Sequence, residues 1–314
     1  MRVFFKFIFL LCFSQNIFSQ DSIRFLTPSP DFNKSRFVSV VALEVAGYGG
    51  SLALLSSAWY NEYNQTSFHF FDDSREWLQV DKAGHITTSW YLGRIGINMM
   101  EWSGVEAKKA IWYGTAGSFL YLTGIEMLDG FSDGWGFSWG DFSANVIGTG
   151  FIIGQKFLQH SNLNSCLIRG IGAASLKFSF YQTAYPKYRP NLLGTTRLEN
   201  ILKDYNGQSY WLSLNFSSFM KEEIKFPKWL NIAFGYGAEG MISGMPGFVY
   251  ADSQGTIEFE RYRQYYLSLD IDLTRIKTKS HFLKTVFEVI SFIKIPAPAF
   301  EFSKKGMKLH PLHY

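Results

Sequence analysis

Residues 81–102, DKAGHITTSWYLGRIGINMMEW, decide most of the fold because they join a polar start to a long, mainly apolar segment. The segment is amphipathic and uninterrupted by proline, which predicts an α-helix. Asp81, Lys82 and His85 all lie near its first turn. We predict that Asp81 caps this helix and that His85 follows one turn later on the same side.

Three further segments predict helices that pack around this one. They cover residues 38–60, 107–131 and 138–159. Ser138 and Asp141 open the last of them with the spacing of a capping box. Short connections join the segments, apart from a longer loop over residues 61–80. The sequence therefore predicts an N-terminal four-helix bundle.

The apolar character of these helices is consistent with two environments. Residues 38–60 reach the roughly 20 apolar residues needed to span a membrane, whereas the third and fourth helices fall a little short. Glycine recurs throughout, and Gly150 and Gly154 form a GxxxG pair. Because glycine costs about 1 kcal/mol in a helix interior, its repeated use predicts close approach of helix backbones. A membrane-associated bundle and a tightly packed soluble bundle both fit this pattern.

From about Cys166 onward the hydrophobic period changes to two. In residues 265–276, YYLSLDIDLTRI, Tyr265 and Leu269 alternate with Ser268 and Asp270. Such alternation predicts strands with one apolar face. Similar alternation occurs in residues 175–181, 210–219 and 229–240. We predict about five or six strands that form a partial sheet packed on the helical half.

The overall fold class predicted is α+β. An N-terminal membrane-associated four-helix bundle precedes a C-terminal antiparallel β-rich half, which is a partial sheet or barrel-like. A short amphipathic helix is predicted over residues 281–294, stopped by Pro296 and Pro298. The predicted divisions are a signal peptide over 1–20, a helical domain over 21–160 and a β-rich region over 161–314.

The N-terminal segment has the layout of a secretory signal peptide. Arg2 and Lys6 precede a short run of Phe, Ile and Leu, and Ser19 lies near the expected cleavage point. An uncleaved membrane anchor is the alternative. Cys12 follows two leucines, whereas a lipid-attachment cysteine normally follows a small residue, so we expect cleavage rather than lipid attachment. We therefore predict an exported protein of the cell envelope.

Charge and cysteine content limit the classes of binding partner that we expect. The formal net charge of +4 is spread over 314 residues without a long basic run, which argues against nucleic-acid binding. After cleavage Cys166 is the remaining cysteine, so neither an internal disulfide nor a cysteine metal site is predicted. We expect Cys166 to be a small buried hydrophobe.

Polar residues from three helix ends are expected to meet. In an antiparallel bundle the end of the third helix adjoins the start of the fourth, and the start of the second lies at the same end. The residues brought together are Asp81, His85, Glu126, Asp129, Asp141 and Asn145. Burying several ionisable groups in apolar helices is costly, which favours a functional role.

Two interpretations of this cluster remain open. In the functional one, His85 acts as a base or metal ligand and Asp81, Glu126 and Asp141 are the catalytic carboxylates. Lys82, Asp129 and Asn145 then contribute to binding, with a divalent cation as one candidate partner. In the structural one, the groups cap helices, and His85 and Asn145 satisfy each other. No dedicated metal motif is present, and no cofactor is indicated.

Other motifs carry less information. The stretch GYGAEG over residues 235–240 fits GxGxxG, but no helical pattern follows, so we interpret it as part of a strand. His310 and His313 lie in what reads as an exposed tail and are too sparse for a metal motif.

The stretches EWLQVDKAGH (76–85) and GIEMLDGFSDGWGFSWGDFSANVIGTG (124–150) resemble YfiM-like predicted periplasmic proteins, a family of unknown function. They are distantly similar to VanZ-like membrane proteins. The shared pattern is D-K-x-x-H, a later Glu and D-x-x-x-N-x-x-G, found here at Asp81, Lys82, His85, Glu126, Asp141, Asn145 and Gly148. The resemblance covers roughly residues 70–160. VanZ-like members are linked to glycopeptide tolerance, which implies a role with envelope glycans or lipids.

We therefore expect an exported, membrane-associated envelope protein in the outer membrane or a periplasm-facing membrane. Its expected partner is a membrane lipid or another envelope component. A structural or binding function is the leading hypothesis. The alternative is a membrane-proximal enzyme that acts on a lipid or lipid-linked glycan through His85 and the neighbouring carboxylates.

Overall fold

A computed structural model describes residues 26–59, 64–161, 165–220, 226–253 and 255–313. The predicted signal peptide over 1–20 lies outside them. The four long helices are α1 Lys34–Trp59, α2 Val80–Trp102, α3 Ala107–Asp129 and α4 Trp139–His160. The predicted α+β fold, with helices first and an antiparallel sheet after them, is confirmed.

Helix α2 is the central element of the bundle and packs against both α3 and α4. A Cβ atom built on Gly96 would lie 2.2 Å from the carbonyl oxygen of Gly114, so these two backbones touch. Gly148 on α4 approaches the carbonyl oxygen of Ile86 equally closely. The predicted close approach is therefore real. It is wrong for the GxxxG pair, because Cβ atoms on Gly150 and Gly154 would meet nothing within 4 Å.

Helix α1 lies on the outside of the bundle. Among the described helices it alone is long and apolar enough to cross a membrane, over Lys34–Ser56, with a mean hydropathy of 1.7 and 6% of that window buried. Its contacts to α3 include the ring of Tyr48, which stacks on Tyr121 at 4.5 Å. The Asn33 amide just before α1 donates to the Ser103 carbonyl at 2.8 Å. Helix α1 thus keeps most of its apolar surface uncovered.

The C-terminal half contains a six-stranded antiparallel sheet in the order β1-β2-β3-β6-β7-β8. Its strands are β1 Ser175–Phe180, β2 Gln208–Asn215, β3 Leu230–Glu239, β6 Tyr262–Ile271, β7 Ala297–Ser303 and β8 Gly306–His313. A separate hairpin pairs β4 Val249–Asp252 with β5 Gly255–Glu258. The predicted strand count holds for the main sheet, and GYGAEG lies at the end of β3 as expected.

Short helices fill the connections: α5 Cys166–Gly172, α6 Pro190–Leu193, α7 Arg197–Lys203 and α8 His281–Ile290. Helix α8 confirms the predicted amphipathic helix, but it ends at Ile290, well before Pro296. Cys166 is exposed, so its expected burial is wrong. It occupies the first turn of a short surface helix, where its side chain has no core to enter.

The sheet buries the face that the sequence marked as polar. Along β6, Ser268 and Asp270 are buried, whereas Tyr265 and Leu269 are each 53% exposed. The sheet packs on α2 along β1, β2 and β3. The predicted packing of a partial sheet on the helical half is therefore confirmed for these three strands.

The buried polar face holds a complete ion pair. Lys177 on β1 and Asp270 on β6 are both fully buried, with Nζ and Oδ2 2.6 Å apart. Ser213 donates a further hydrogen bond to Asp270 at 2.6 Å. Toward the β8 edge of the sheet, His313 is buried, and His310 Nε2 lies 2.7 Å from Glu301 Oε2. The two histidines therefore belong to strand β8 and not to an exposed tail.

The sheet curls toward its polar side. The Phe178 amide in β1 donates to the Phe292 carbonyl at 2.7 Å, and the Lys294 amide donates back to the Phe178 carbonyl at 2.9 Å. These bonds join an edge strand to the segment that leads into β7. The polar groups are consequently enclosed, and the apolar groups of β6–β8 lie on the convex side.

We expect Gly96→Ala to lower the free energy of unfolding by about 1–3 kcal/mol, because the added methyl would overlap the Gly114 backbone. Gly150→Ala is the matched control on α4. Its methyl would meet open space, so we expect no loss and a gain of up to about 1 kcal/mol from helix propensity. Chemical unfolding of both purified variants in one detergent checks this. Equal losses at the two positions would contradict the packing described.

Candidate functional site

The predicted meeting of three helix ends is confirmed. Helix α2 begins at Val80, α3 ends at Asp129 and α4 begins at Trp139, and all three ends line one cavity of about 340 Å³. We call this cavity the polar pocket. Its polar lining includes Asp73, Asp81, His85, Asp129 and Asp141. All six residues expected to converge lie at this end of the bundle.

An unusual turn directs the start of α2 into the polar pocket. Trp77, Leu78 and Gln79 all have positive φ, at 46°, 50° and 65°. Left-handed conformations cost roughly 1–2 kcal/mol per non-glycine residue and persist where surrounding contacts enforce them. The Trp77 ring packs on Tyr205 at 4.9 Å, and Tyr236 donates a hydrogen bond to the Leu78 carbonyl. The C-terminal half therefore holds the turn in place.

This turn overturns one prediction. The residue before the helix is Gln79, which provides no side-chain cap. Asp81 is the second helical residue, so it does not cap α2, and its carboxylate instead faces Lys82 across 3.0 Å. Sequence reasoning placed the helix start one residue late, because nothing in the letters WLQ indicates three left-handed residues.

Lys82 is the electrostatic centre of the site. Its Nζ lies 2.9 Å from Asp141 Oδ1 and 3.0 Å from Asp81 Oδ2, and it also donates to Asp73. Ser138 donates to Asp73 at 2.7 Å and accepts from the Asp141 amide at 3.0 Å. Ser138 is thus the predicted N-cap of α4. Asp73, in the loop before α2, is a member of the site that sequence reasoning missed.

His85 is held between two carboxyl groups. Its Nδ1 lies 3.2 Å from Asn145 Oδ1 and 3.6 Å from Glu126 Oε1. Its Nε2 lies 3.7 Å from Asp141 Oδ1. The expected contact between His85 and Asn145 is confirmed. The carboxyl groups of Glu126 and Asp141 are just beyond hydrogen-bond distance of the ring. A small side-chain shift, or one bridging ligand atom, would connect each of them to His85.

Several buried polar atoms of the site have no hydrogen-bond partner among the described residues. They are Asp81 Oδ1, Glu126 Oε1 and Asn145 Nδ2. Glu126 is 1% exposed, and Asn145 is fully buried. An unpaired buried polar group costs about 1–3 kcal/mol, so this clustering destabilises the fold unless a further polar group meets these atoms.

Burial sets the charges of the carboxyl groups. Removal from water, with smaller effects of Asp129 and Asp73, raises the pKa of Glu126 to about 8. Burial, together with Asp73 and Asp81, also raises the pKa of Asp141. Glu126 therefore favours the protonated form near neutral pH, whereas Asp141 is paired with the Lys82 ammonium group.

Burial acts in the opposite direction on the bases, since it disfavours their charged forms. It lowers the pKa of His85, which keeps the imidazole neutral. It also opposes charge on Lys82, but the Asp141, Asp81 and Asp73 carboxylates outweigh it and raise the pKa of Lys82. The neutral imidazole of His85 thus lies beside the protonated carboxyl group of Glu126 and near the positive charge of Lys82.

Two residue groups have the geometry for a cation. His85, Glu126 and Asp141 offer one ligand atom each, all within 4.8 Å of one another, and so do Asp73, Asp81 and Asp141. The Lys82 ammonium already occupies the second group. The first group is open to a divalent cation, which stays a predicted partner.

Part of the lining of the polar pocket is apolar and aromatic. Leu55, near the end of α1, lines the cavity together with Phe71 and Trp135. Phe70, the neighbour of Phe71 in the chain, stacks on Trp139 at 5.8 Å, and both residues are 60% exposed. The polar groups therefore share one cavity with a residue of the helix that is long and apolar enough to cross a membrane.

Comparison with known proteins finds a family match in the region of the polar pocket. Residues 69–155 match the model of an uncharacterised family described as predicted periplasmic lipoproteins (DUF2279). The match covers less than a third of the chain but includes every residue of the polar pocket that the sequence predicted. No curated protein and no solved structure matches the chain. The family match supports an exported protein of the cell envelope.

The raised pKa of Glu126 predicts a pH-dependent stability. A carboxyl group whose folded pKa of about 8 exceeds its ordinary value of 4.5 stabilises the fold fully below that ordinary value. The contribution is lost as the pH rises through 8. We expect Glu126→Gln to reduce the fall in unfolding free energy between pH 5 and pH 9 by on the order of a few kcal/mol.

Denaturant unfolding of wild type and variant at these two pH values measures the effect. Glu106→Gln, an exposed substitution just before α3, is the control and should keep the wild-type profile. An unchanged pH profile in Glu126→Gln would show that this carboxyl group is not buried as described.

Proposed function

We propose that the protein is an exported, membrane-associated envelope protein that binds the hydroxyl-rich head of an envelope lipid or lipid-linked glycan in the polar pocket. The observation that carries this proposal is the set of unpartnered buried polar atoms beside a cavity whose lining is partly apolar and aromatic. Helix α1 supplies the membrane contact, and the ends of α2, α3 and α4 supply the polar recognition.

The unpartnered atoms favour a ligand that both donates and accepts hydrogen bonds. Asn145 Nδ2 needs an acceptor, whereas Asp81 Oδ1 and Glu126 Oε1 are carboxyl oxygens without a partner. Sugar or glycerol hydroxyl groups meet both needs. A phosphate fits less well, because Lys82 is already surrounded by three carboxyl groups and the lining is otherwise acidic.

The apolar lining favours a ligand presented from a membrane. Leu55, a lining residue, belongs to the last turn of the apolar stretch of α1, and Phe70 and Trp139 beside the lining residues Phe71 and Asp141 are exposed. Aromatic side chains concentrate where a membrane meets water. A lipid-linked head group would reach the polar pocket from that level while its acyl chains stayed in the bilayer.

The resemblance to YfiM-like and, distantly, VanZ-like proteins is consistent with this proposal. Its motif residues Asp81, Lys82, His85, Glu126 and Asn145 all belong to the pocket region. That resemblance implies envelope glycans or lipids as partners. We extend the proposal to the outer membrane or a periplasm-facing membrane as the place of action.

A second candidate function is an enzyme that acts on the same ligand. The specific observation in its favour is a neutral imidazole placed between the carboxyl groups of Glu126 and Asp141, whose pKa values are raised. Neighbouring groups with pKa values displaced toward neutrality are the usual arrangement for paired acid and base catalysis. In this alternative His85 takes the proton from a hydroxyl group whose oxygen forms a bond to an ester or glycosidic carbon of the ligand, and the protonated Glu126 gives its proton to the oxygen whose bond to that carbon breaks.

Mass spectrometry of lipids that copurify with the protein from the envelope tests the proposal. We expect a hydroxyl-rich lipid with the wild type and a loss of about tenfold or more in Glu126→Ala, since that variant removes a polar contact worth over 1 kcal/mol. Lys156→Ala, on α4 but remote from the polar pocket, is the control and should retain the lipid. Equal lipid content in all three proteins would contradict the proposal.

His85→Ala separates the two candidate functions in the same experiment. If the protein only binds, removing the imidazole lowers the amount of lipid and leaves its identity unchanged. If the protein is an enzyme, the variant retains lipid but the species changes, because unconverted substrate accumulates.

A further inference from the structure

Helix α8, His281–Ile290, is attached to the bundle by its polar side. Glu288 accepts hydrogen bonds from Arg94 Nε at 2.7 Å and from Asn98 Nδ2 at 2.8 Å, both on α2. Tyr91, one turn before Arg94, donates to the Val289 carbonyl. Glu288 therefore attaches α8 to α2, whereas Lys284 on the same polar side is exposed.

The apolar side of α8 is only partly covered by the protein. Phe282 is 61% exposed and Val289 is 52% exposed, and Leu283 is also exposed, whereas Phe287 and Ile290 are half-buried. No residue of this described helix is buried. An amphipathic helix on a water-soluble protein normally buries its apolar stripe against the core.

The neighbouring sheet shows the same inversion independently. Its exposed convex side carries Tyr265, Leu269, Phe300, Phe302 and Leu309. The enclosed side of the same strands carries Gln264, Ser268, Asp270 and Glu301. Strands that put apolar residues outward and polar residues inward are typical of sheets whose outer face contacts lipid.

Helix and sheet are joined by one continuous segment. The chain leaves α8, passes through exposed Ile293, which bridges to Phe178 of β1, and enters β7 four residues later. The two inverted surfaces are therefore linked through a residue that is itself apolar and exposed.

The basic residues near α8 indicate that lipid rather than a second protein covers the apolar surface of α8 and β6–β8. Residues 276–284, IKTKSHFLK, contain Lys277, Lys279 and Lys284 and no acidic residue, whereas Arg275 just before them is paired with Asp272 at 3.1 Å. Basic residues beside an apolar helix face complement anionic lipid head groups, at about 1 kcal/mol per residue near the membrane surface. A protein partner would not require this combination of a wide apolar face and a basic edge.

We propose that α8 and the convex face of β6–β8 are inserted in the membrane, with lipid acyl chains as their occupant and anionic head groups at the basic edge. The C-terminal half is then a second membrane-contacting element, separate from α1. This inference rests on the outward apolar surfaces and does not depend on the ligand proposed for the polar pocket.

Site-directed spin labelling of the full chain in vesicles of phosphatidylethanolamine and phosphatidylglycerol tests the inference. Single cysteines at Phe282→Cys, Leu269→Cys and Thr285→Cys are introduced with Cys12 and Cys166 replaced by serine. Thr285 is also exposed but lies on the polar side of α8, so it is the matched control. Accessibility of each label to oxygen, which partitions into lipid, is compared with its accessibility to a water-soluble nickel chelate.

We expect the ratio of oxygen to nickel accessibility at positions 282 and 269 to exceed that at 285 by about threefold or more, as for residues below the head groups. Equal nickel accessibility at 282 and 285 would place the surface in water and overturn the inference. Labels at 282 and 269 that are immobile and shielded from both probes would also overturn it, because a second protein would then cover the face. Neither result would affect the lipid copurification test of the polar pocket.

Discussion

The ammonium group of Lys82 is the interaction on which the site depends. It connects three separate pieces of chain, because Asp73 comes from the loop before α2, Asp81 from the first turn of α2 and Asp141 from the first turn of α4. Three carboxyl groups this close would repel one another without a cation among them. Removing the lysine would therefore free the loop that carries Asp73 and leave the three carboxyl groups without a counter-charge. Asp141, which lies beside His85, would lose its ion pair.

The sequence predicted the architecture of the site because it follows from topology. Antiparallel helices with short connections must bring the ends of α2, α3 and α4 together, and the polar letters at those ends identified Glu126, Asp141 and Asn145. Asp73 was missed because a loop residue has no periodicity that locates it. The false cap at Asp81 has a similar cause, since the left-handed turn at residues 77–79 is imposed by Tyr205 and Tyr236 from distant parts of the chain.

Alternation along a strand identifies two faces but does not say which one is buried. The pattern of β6 separated Leu269 from Ser268 and Asp270 correctly, and the sheet nevertheless encloses the polar set. Lys177 lies opposite Asp270 in the enclosed space, so these two buried charges are paired within the face. The residue period alone did not reveal that the apolar side chains of β6–β8 are the exposed set.

The shared wall of the polar pocket has a consequence for how the protein matures. Leu202 and Tyr205 line the cavity beside Asp81 and His85, although well over a hundred residues separate them along the chain. During export the helices emerge first, before the residues that lock Trp77 and Leu78 into place. The polar pocket is therefore complete only after Tyr205 and, in β3, Tyr236 have packed against the turn that starts α2.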